Sequence, residues 1–144
     1  MAWLIDTNVL SEIRRPKPDN RVLEFLAARP ISELFVSAVT LAEIRFGIEN
    51  QDEAYRKSLL TSWLEEKIRP MFHRRALPVD ETIVVGALRI AHMCARGGYT
   101  FSLPDLLIGA TALDRGMVVV SRDTTPFLKA NVPVENPWHY AQMP

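Results

Sequence analysis

The chain contains a single cysteine, Cys94, among its 144 residues. One thiol closes no intrachain disulfide and supplies no metal-ligand spacing of the zinc type. It lies in the helical apolar pattern Ile90-Ala91-His92-Met93-Cys94 and is expected to be a buried structural thiol. His73, His92 and His139 are scattered and read as packing or surface residues. No apolar run approaches the ~20 residues needed to span a bilayer. The start runs directly into Trp3-Leu4-Ile5, with neither a basic leader nor a cleavage-site pattern. The expectation is a soluble protein in a reducing, cytoplasmic setting, away from membranes. An excess of charge is also missing, since 17 basic side chains face 17 acidic ones. A non-specific nucleic-acid coat would be strongly basic. Were four of the acids gathered around cations, the remainder would carry about four excess positive charges, which is compatible with a phosphate-bearing substrate. There is no glycine-rich phosphate loop, no Gly-x-Ser-x-Gly elbow, no repeat and no linker. The length therefore reads as one domain, residues 1–144, able to bury roughly 68–70% of its unfolded surface without cross-links.

What is present is an alternation of short apolar runs and helical patterns. Ala2–Ile5 reads as a buried strand, followed by a short helix from Asn8 to Ile13 that Arg14-Arg15-Pro16-Lys17-Pro18 stops. A helix over Asn20–Ala28 precedes a strand at Leu34–Ser37. A helix over Val39–Glu49 places Leu41, Ile44 and Ile48 at core spacing. A longer helix, Asp52–Ile68, is expected to end at Pro70. A brief strand at Ala76–Pro78 leads to a helix over Asp80–Arg96, closed by Gly97-Gly98. Another helix, Leu103–Arg115, is closed by Gly116, and Met117–Ser121 is the clearest strand. A helical turn at Thr125–Lys129 and a strand at Val132–Glu135 follow. The pattern predicts an α/β domain with a mainly parallel sheet. Such sheets bind ligands beyond the carboxyl ends of their strands.

Two acids fall at such ends: Asp6 in Ile5-Asp6-Thr7-Asn8 and Asp123 in Ser121-Arg122-Asp123-Thr124. Either is also explained as a helix N-cap. Glu43 shares a helix face with Thr40, Phe46 and Gly47, off the core stripe; an ordinary surface glutamate is the alternative. Asp105 is the only charged residue between Gly97 and Leu113, although Ser102-Leu103-Pro104-Asp105 has capping-box form. Gly47 and Gly109 each stand one turn beyond an acid. Glycine inside a helix costs ~1 kcal/mol relative to alanine, so close approach of another group is expected at both. Four acids packed together would repel, and at least one would keep its proton. A hard cation relieves this, and carboxylates with water suit Mg2+ or Mn2+ rather than zinc. A metal so held lowers the pKa of a bound water and neutralises charge developing on a phosphorus centre, which suits phosphodiester hydrolysis.

Leu4-Ile5-Asp6-Thr7-Asn8, the run Ser37 to Gly47 with Glu43 at its centre, Asp105 in an apolar helix and Val120-Ser121-Arg122-Asp123 resemble, in order, the motifs of PIN-domain proteins. The ending Asn136-Pro137-Trp138 resembles the VapC and FitB branch, the toxin halves of bacterial toxin–antitoxin pairs. The resemblance covers essentially the whole chain. It implies a PIN-like α/β/α sandwich, Mg2+- or Mn2+-dependent endoribonuclease activity, a homodimer, and neutralisation by a cognate DNA-binding antitoxin. Asp6, Glu43, Asp105 and Asp123 match the family's acidic quartet as metal-holding catalytic residues. Thr7, Ser121 and Arg122 match positions that support metal, water or phosphate. Many members read Thr-Arg-Asn-x-x-Asp-Phe after the late strand. Here Pro126 replaces the later acid and Asp123 supplies one earlier, so a direct or an indirect role for Asp123 stays open.

Three other functions compete. A haloacid-dehalogenase-type phosphatase wants a second Asp two residues after the first, and Asn8 stands there. A phospho-receiver domain wants paired acids and a late lysine, where Arg122 stands. A PIN fold that only binds RNA or a partner would not need the whole quartet. Arg14, Arg15, Lys17, Arg69, Arg74 and Arg75 are candidate RNA contacts. The acidic pocket also suits a guanidinium, so an antitoxin arginine is expected to enter it, beside an apolar segment lying in a groove between helices.

Overall fold

The computed structural model describes residues 1–141. Strand β1 (Trp3–Ile5) is followed by helices α1 (Thr7–Ile13) and α2 (Asn20–Ala27), then β2 (Leu34–Ser37) and α3 (Ala38–Glu49). Helix α4 (Ala54–Trp63) continues through a π-helical turn, Leu64–Ile68, into the short α5 (Arg69–Met71). Strand β3 (Ala76–Leu77), α6 (Glu81–Met93), α7 (Leu103–Arg115), β4 (Val118–Val120), α8 (Thr125–Lys129) and β5 (Val134–Glu135) complete the order. The five strands form one sheet in the order β3-β2-β1-β4-β5, and every pairing is parallel.

The strands are short and buried on both faces, which is why they read as continuous apolar runs rather than alternating ones. Period-two geometry still sorts their side chains. Trp3, Ile5, Leu34, Val36 and Val120 join one core with Val9, Leu10, Phe25, Ile44 and Ile48. Leu4 and Val119 join another with Ile108, Ala112 and Phe127. The sheet is thus covered by α1, α2 and α3 on one side and by α7 and α8 on the other, an α/β/α sandwich.

Helix ends follow the expected chemistry. Asp6, Asp19, Ser37, Asp80 and Ser102 each cap a helix through a side-chain oxygen. Gly116 and Gly98 adopt left-handed backbone with φ of 64° and 71°. Pro70 departs from expectation: helical backbone runs through it to Met71. The π turn explains this, because the Arg69 N–H bonds to the Leu64 carbonyl five residues back and resets the ladder just before the proline.

Two other expectations need correction. A Cβ added at Gly47 would meet nothing within 4 Å, so no group of the described chain approaches there. At Gly109 a Cβ would make only ordinary contacts, 3.4 Å from Val132 and farther from Ile90 and Phe127, so no close approach requires glycine there either. The tightest approach is at Gly86, where a Cβ would lie 3.2 Å from Ala110 Cβ; this seats α6 on α7. Cys94 is half-buried rather than buried, with its thiol 3.5 Å from the Lys129 carbonyl. Among the described residues no helix is long and apolar enough to cross a membrane.

Candidate active site

Strand β1 is central, and the chain departs from it first towards β2 and β3 and later towards β4 and β5. The reversal creates a crevice beyond the carboxyl ends of β1 and β4, the place where open parallel sheets bind ligands. A cleft of about 300 Å³ lies there, and Asp6, Glu43, Asp105 and Asp123 all line it. Thr7, Asn8, Ser11 and Ser102 complete a wall in which Pro104 is the one apolar member.

Each acid arrives by a different route. Asp6 leaves β1 and is buried. Its Oδ1 accepts the Thr7 N–H at 2.8 Å and its Oδ2 accepts the Ser121 hydroxyl at 2.8 Å. The capping alternative is therefore realised together with the site, since one carboxylate closes the end of α1 and faces the cleft. Glu43 is carried mid-helix on α3, where the Thr7 hydroxyl donates to its Oε1 at 2.8 Å. Asp105 stands in the first turn of α7, its N–H donating to Ser102 Oγ at 3.2 Å. Asp123 follows β4, its N–H donating to Ser121 Oγ at 3.2 Å.

Ser121 is fully used. Its oxygen accepts from Asp123 N and from Asn8 Nδ2 (3.0 Å), and its hydroxyl has Asp6 Oδ2 at 2.8 Å as the nearer acceptor and the Asp123 carbonyl at 3.3 Å as the farther. Asn8 accepts the Arg122 N–H at 3.1 Å. It is a bracket between the two strand ends, a role that its sequence neighbourhood does not announce. An amide engaged in this way supplies no general acid, which removes the dehalogenase-type reading. Arg122 is exposed and does not line the cleft; its guanidinium lies 5.0 Å from the Trp138 ring centre.

Electrostatics mark the cluster. Burial first, and then the charges of Asp105 and Asp123, push the Asp6 carboxyl above its ordinary value, against hydrogen bonds from Ser121 and Thr7. Burial followed by the charges of Asp6 and Asp105 raises Glu43, and burial followed by Asp123 raises Asp105. Among the described residues no group of three or more acidic, histidine or cysteine side chains is arranged to hold a metal ion. The donors facing the cleft are all oxygen, Asp6 buried and Glu43 and Asp123 exposed, a set that suits a hard cation retaining several waters.

Of the candidate RNA-binding cations, Arg15 pairs with Glu12 and Arg69 with Glu65. Arg75 is committed to the fold, donating to the carbonyls of Ile31, Leu34 and Met71. Arg14 lies over the Trp63 ring. These four have local structural partners; Lys17 and Arg74 are exposed.

A family model described as the PIN domain matches residues 3–132. Toxin FitB of Neisseria gonorrhoeae is 38% identical over 136 residues, covering 94% of this chain and 98% of that protein. VapC ribonuclease Y4jK of Sinorhizobium fredii is 34% identical over 138 residues, covering 96% and 99%. The crystal structure of FitAcB from Neisseria gonorrhoeae superposes with a TM-score of 0.89 at 37% identity, covering 95% of this chain and 99% of that one. A structure of FitAB bound to a DNA fragment gives 0.89 at 36% identity, covering 97% and 98%. By sequence match along its length and by superposition of its sheet and helices, the chain belongs to the PIN-domain family.

Proposed function

We propose that this chain is a Mg2+- or Mn2+-dependent endoribonuclease and the toxin half of a toxin–antitoxin pair. The observation that carries this reading is the convergence of four carboxylates, from four separate elements, on one polar cleft at the switch point of the sheet. Relatives named as ribonuclease and as toxin support it.

The donor chemistry fits a hard divalent cation, since Asp6, Glu43, Asp105 and Asp123 offer only oxygen and three of them are raised by burial and then by one another's charge. Those four would hold it; when bound, it supplies a water of lowered pKa and neutralises charge on the reacting phosphate. The protein's own part is positional. Ser121 and the Thr7 N–H fix both oxygens of Asp6, and the Thr7 hydroxyl fixes Glu43. Two of the four carboxylates, Asp6 and Glu43, are thus oriented before substrate arrives, which lessens reorganisation in the reaction.

FitAcB, and FitAB bound to a DNA fragment, are among the structures that this chain resembles. An antitoxin segment has a suitable bed here: an apolar groove of about 360 Å³ between α1, α2 and α5, lined by Leu10, Ile13, Leu23, Leu26, Ile31 and Met71. Leu23 and Ile31 are exposed in it. A guanidinium from the same segment would match the acidic cleft.

The test is cleavage of a mixed-sequence RNA by purified, antitoxin-free protein. Chelator should stop cleavage, and Mg2+ or Mn2+ should restore it and raise the melting temperature with metal concentration. Chelator-resistant cleavage, or better restoration by zinc, would overturn the all-oxygen metal site.

A further inference from the structure

The geometry points to a nucleotide subsite beside the acidic cleft: the base next to the scissile bond of a single-stranded RNA stacks on Tyr99, and Arg89 and Lys129 hold its phosphate. This rests on the ribonuclease reading and adds to it the element that orients the strand.

A second cleft, of about 580 Å³, opens between α6, α7 and α8. Its volume lies in the range of small-ligand pockets. Tyr99 lines it, and the short segment from Tyr99 leads directly to Ser102, which lines the acidic cleft. The two clefts are therefore lined by neighbouring positions of one short segment. Burial and then the charges of Asp123 and Asp105 push the Tyr99 hydroxyl up, in keeping with that proximity.

That segment is built to be rigid. Tyr99 and Phe101 meet edge to face with centroids 4.8 Å apart and planes at 76°. Gly98, with φ of 71°, turns the chain into the pair. Both rings are half-buried, so each retains accessible surface. Stacking on such rings is how single-stranded RNA is held without regard to a particular base.

The charge also fits. Arg89 and Lys129 line the cleft and form no ion pair among the described residues. The one acid lining it, Asp114, has Arg115 3.8 Å away. Exposed Met93 and Leu113 supply apolar surface. A purely apolar peptide would leave both cations without a counter-charge. A nucleotide offers a flat apolar face and an anion in one unit, and strand continuity delivers it next to a phosphate in the acidic cleft.

The test uses full-length protein in chelator and short single-stranded RNAs carrying one 2-aminopurine, placed at successive positions. Binding should quench the fluorophore most strongly at one position, adjacent to the cleavage site mapped with metal. Tyr99→Leu should weaken binding on the order of tenfold and abolish that quench, while Tyr99→Phe keeps both. Changing Arg89 and Lys129 together to alanine should reduce the slope of log affinity against log salt by about 0.7, the share of the one phosphate they hold. Melting curves and gel filtration are run on every variant. If the wild type cleaves RNA and Tyr99→Leu, folded, binds and quenches as before, the subsite is wrong and the ribonuclease reading stands. If wild type neither binds nor cleaves RNA, both are wrong. If the variants change only self-association or antitoxin binding, the second cleft is a protein interface and the subsite is overturned.

Discussion

The Ser121 hydroxyl donates to Asp6 Oδ2 at 2.8 Å, joining the carboxyl ends of β4 and β1 through a bond buried at both ends. Removing the hydroxyl deprives three groups of a partner, because Asn8 Nδ2 and the Asp123 N–H also donate to Ser121. Ser121→Ala is expected to destabilise the protein by roughly 1–3 kcal/mol, the usual cost of leaving buried polar groups unpaired. Urea denaturation at neutral pH checks it; an unchanged midpoint would show that the bond contributes nothing net.

Stability should depend on pH with a definite sign. Asp6, Glu43 and Asp105 all lie above their ordinary values of 3.8, 4.5 and 3.8 in the folded state. The folded protein therefore binds these protons more tightly than the unfolded chain does. Their stabilisation is fully present below the ordinary values and is lost as pH rises through the folded ones. Asp19 works oppositely: hydrogen bonding to Arg21 lowers it to about 2, so its contribution is lost only at more acid pH. In chelator, the unfolding free energy should fall from about pH 4 towards neutrality. Asp105→Asn should flatten that fall. Denaturant melts across the range measure it, and a rise in both proteins would contradict the assigned cluster.

Two glycines should respond with opposite sign. At Gly47 a Cβ meets open space inside a helix, so Gly47→Ala should stabilise the isolated chain by roughly 0.5–1 kcal/mol. At Gly86 a Cβ would crowd Ala110, so Gly86→Ala should destabilise unless α6 shifts. Thermal melts of the two variants decide it. A loss of stability in Gly47→Ala would mean that something packs on that face of α3 in the protein as purified.

Much of this was legible because short-range chemistry decides it. Gly116, Ser102 and the Pro16-Lys17-Pro18 run end or begin helices by their own backbone preferences. Buried strands such as Val118–Val120 read as apolar runs wherever they lie in a parallel sheet. The four acids were visible as strand-end or charge-isolated carboxylates, although each also had a local explanation. What sequence spacing could not show was set by long-range packing. Asn8 reaches Ser121 across more than a hundred residues. Arg29 is enclosed by the rings of Trp3, Phe25 and Tyr140, drawn from three separate segments. Gly86 owes its size to α7, and Gly47 owes nothing to the described chain. Tyr99 carried no signal, since a short stretch holding Tyr99 and Phe101 after two glycines reads as loop.

The central claim is that the four carboxylates act as one metal-holding catalytic set. The most direct measurement is single-turnover RNA cleavage by Asp105→Asn in saturating Mg2+, alongside its melting curve in chelator. Asp105 is half-exposed in the first turn of α7, and Ser102, not Asp105, provides the cap there. The account predicts that cleavage is abolished while the melting temperature stays the same or rises, because one of several mutually repelling charges is gone. Cleavage retained in the folded fraction, with a markedly lower melting temperature, would show that Asp105 serves the helix end and that the acids are not a catalytic site.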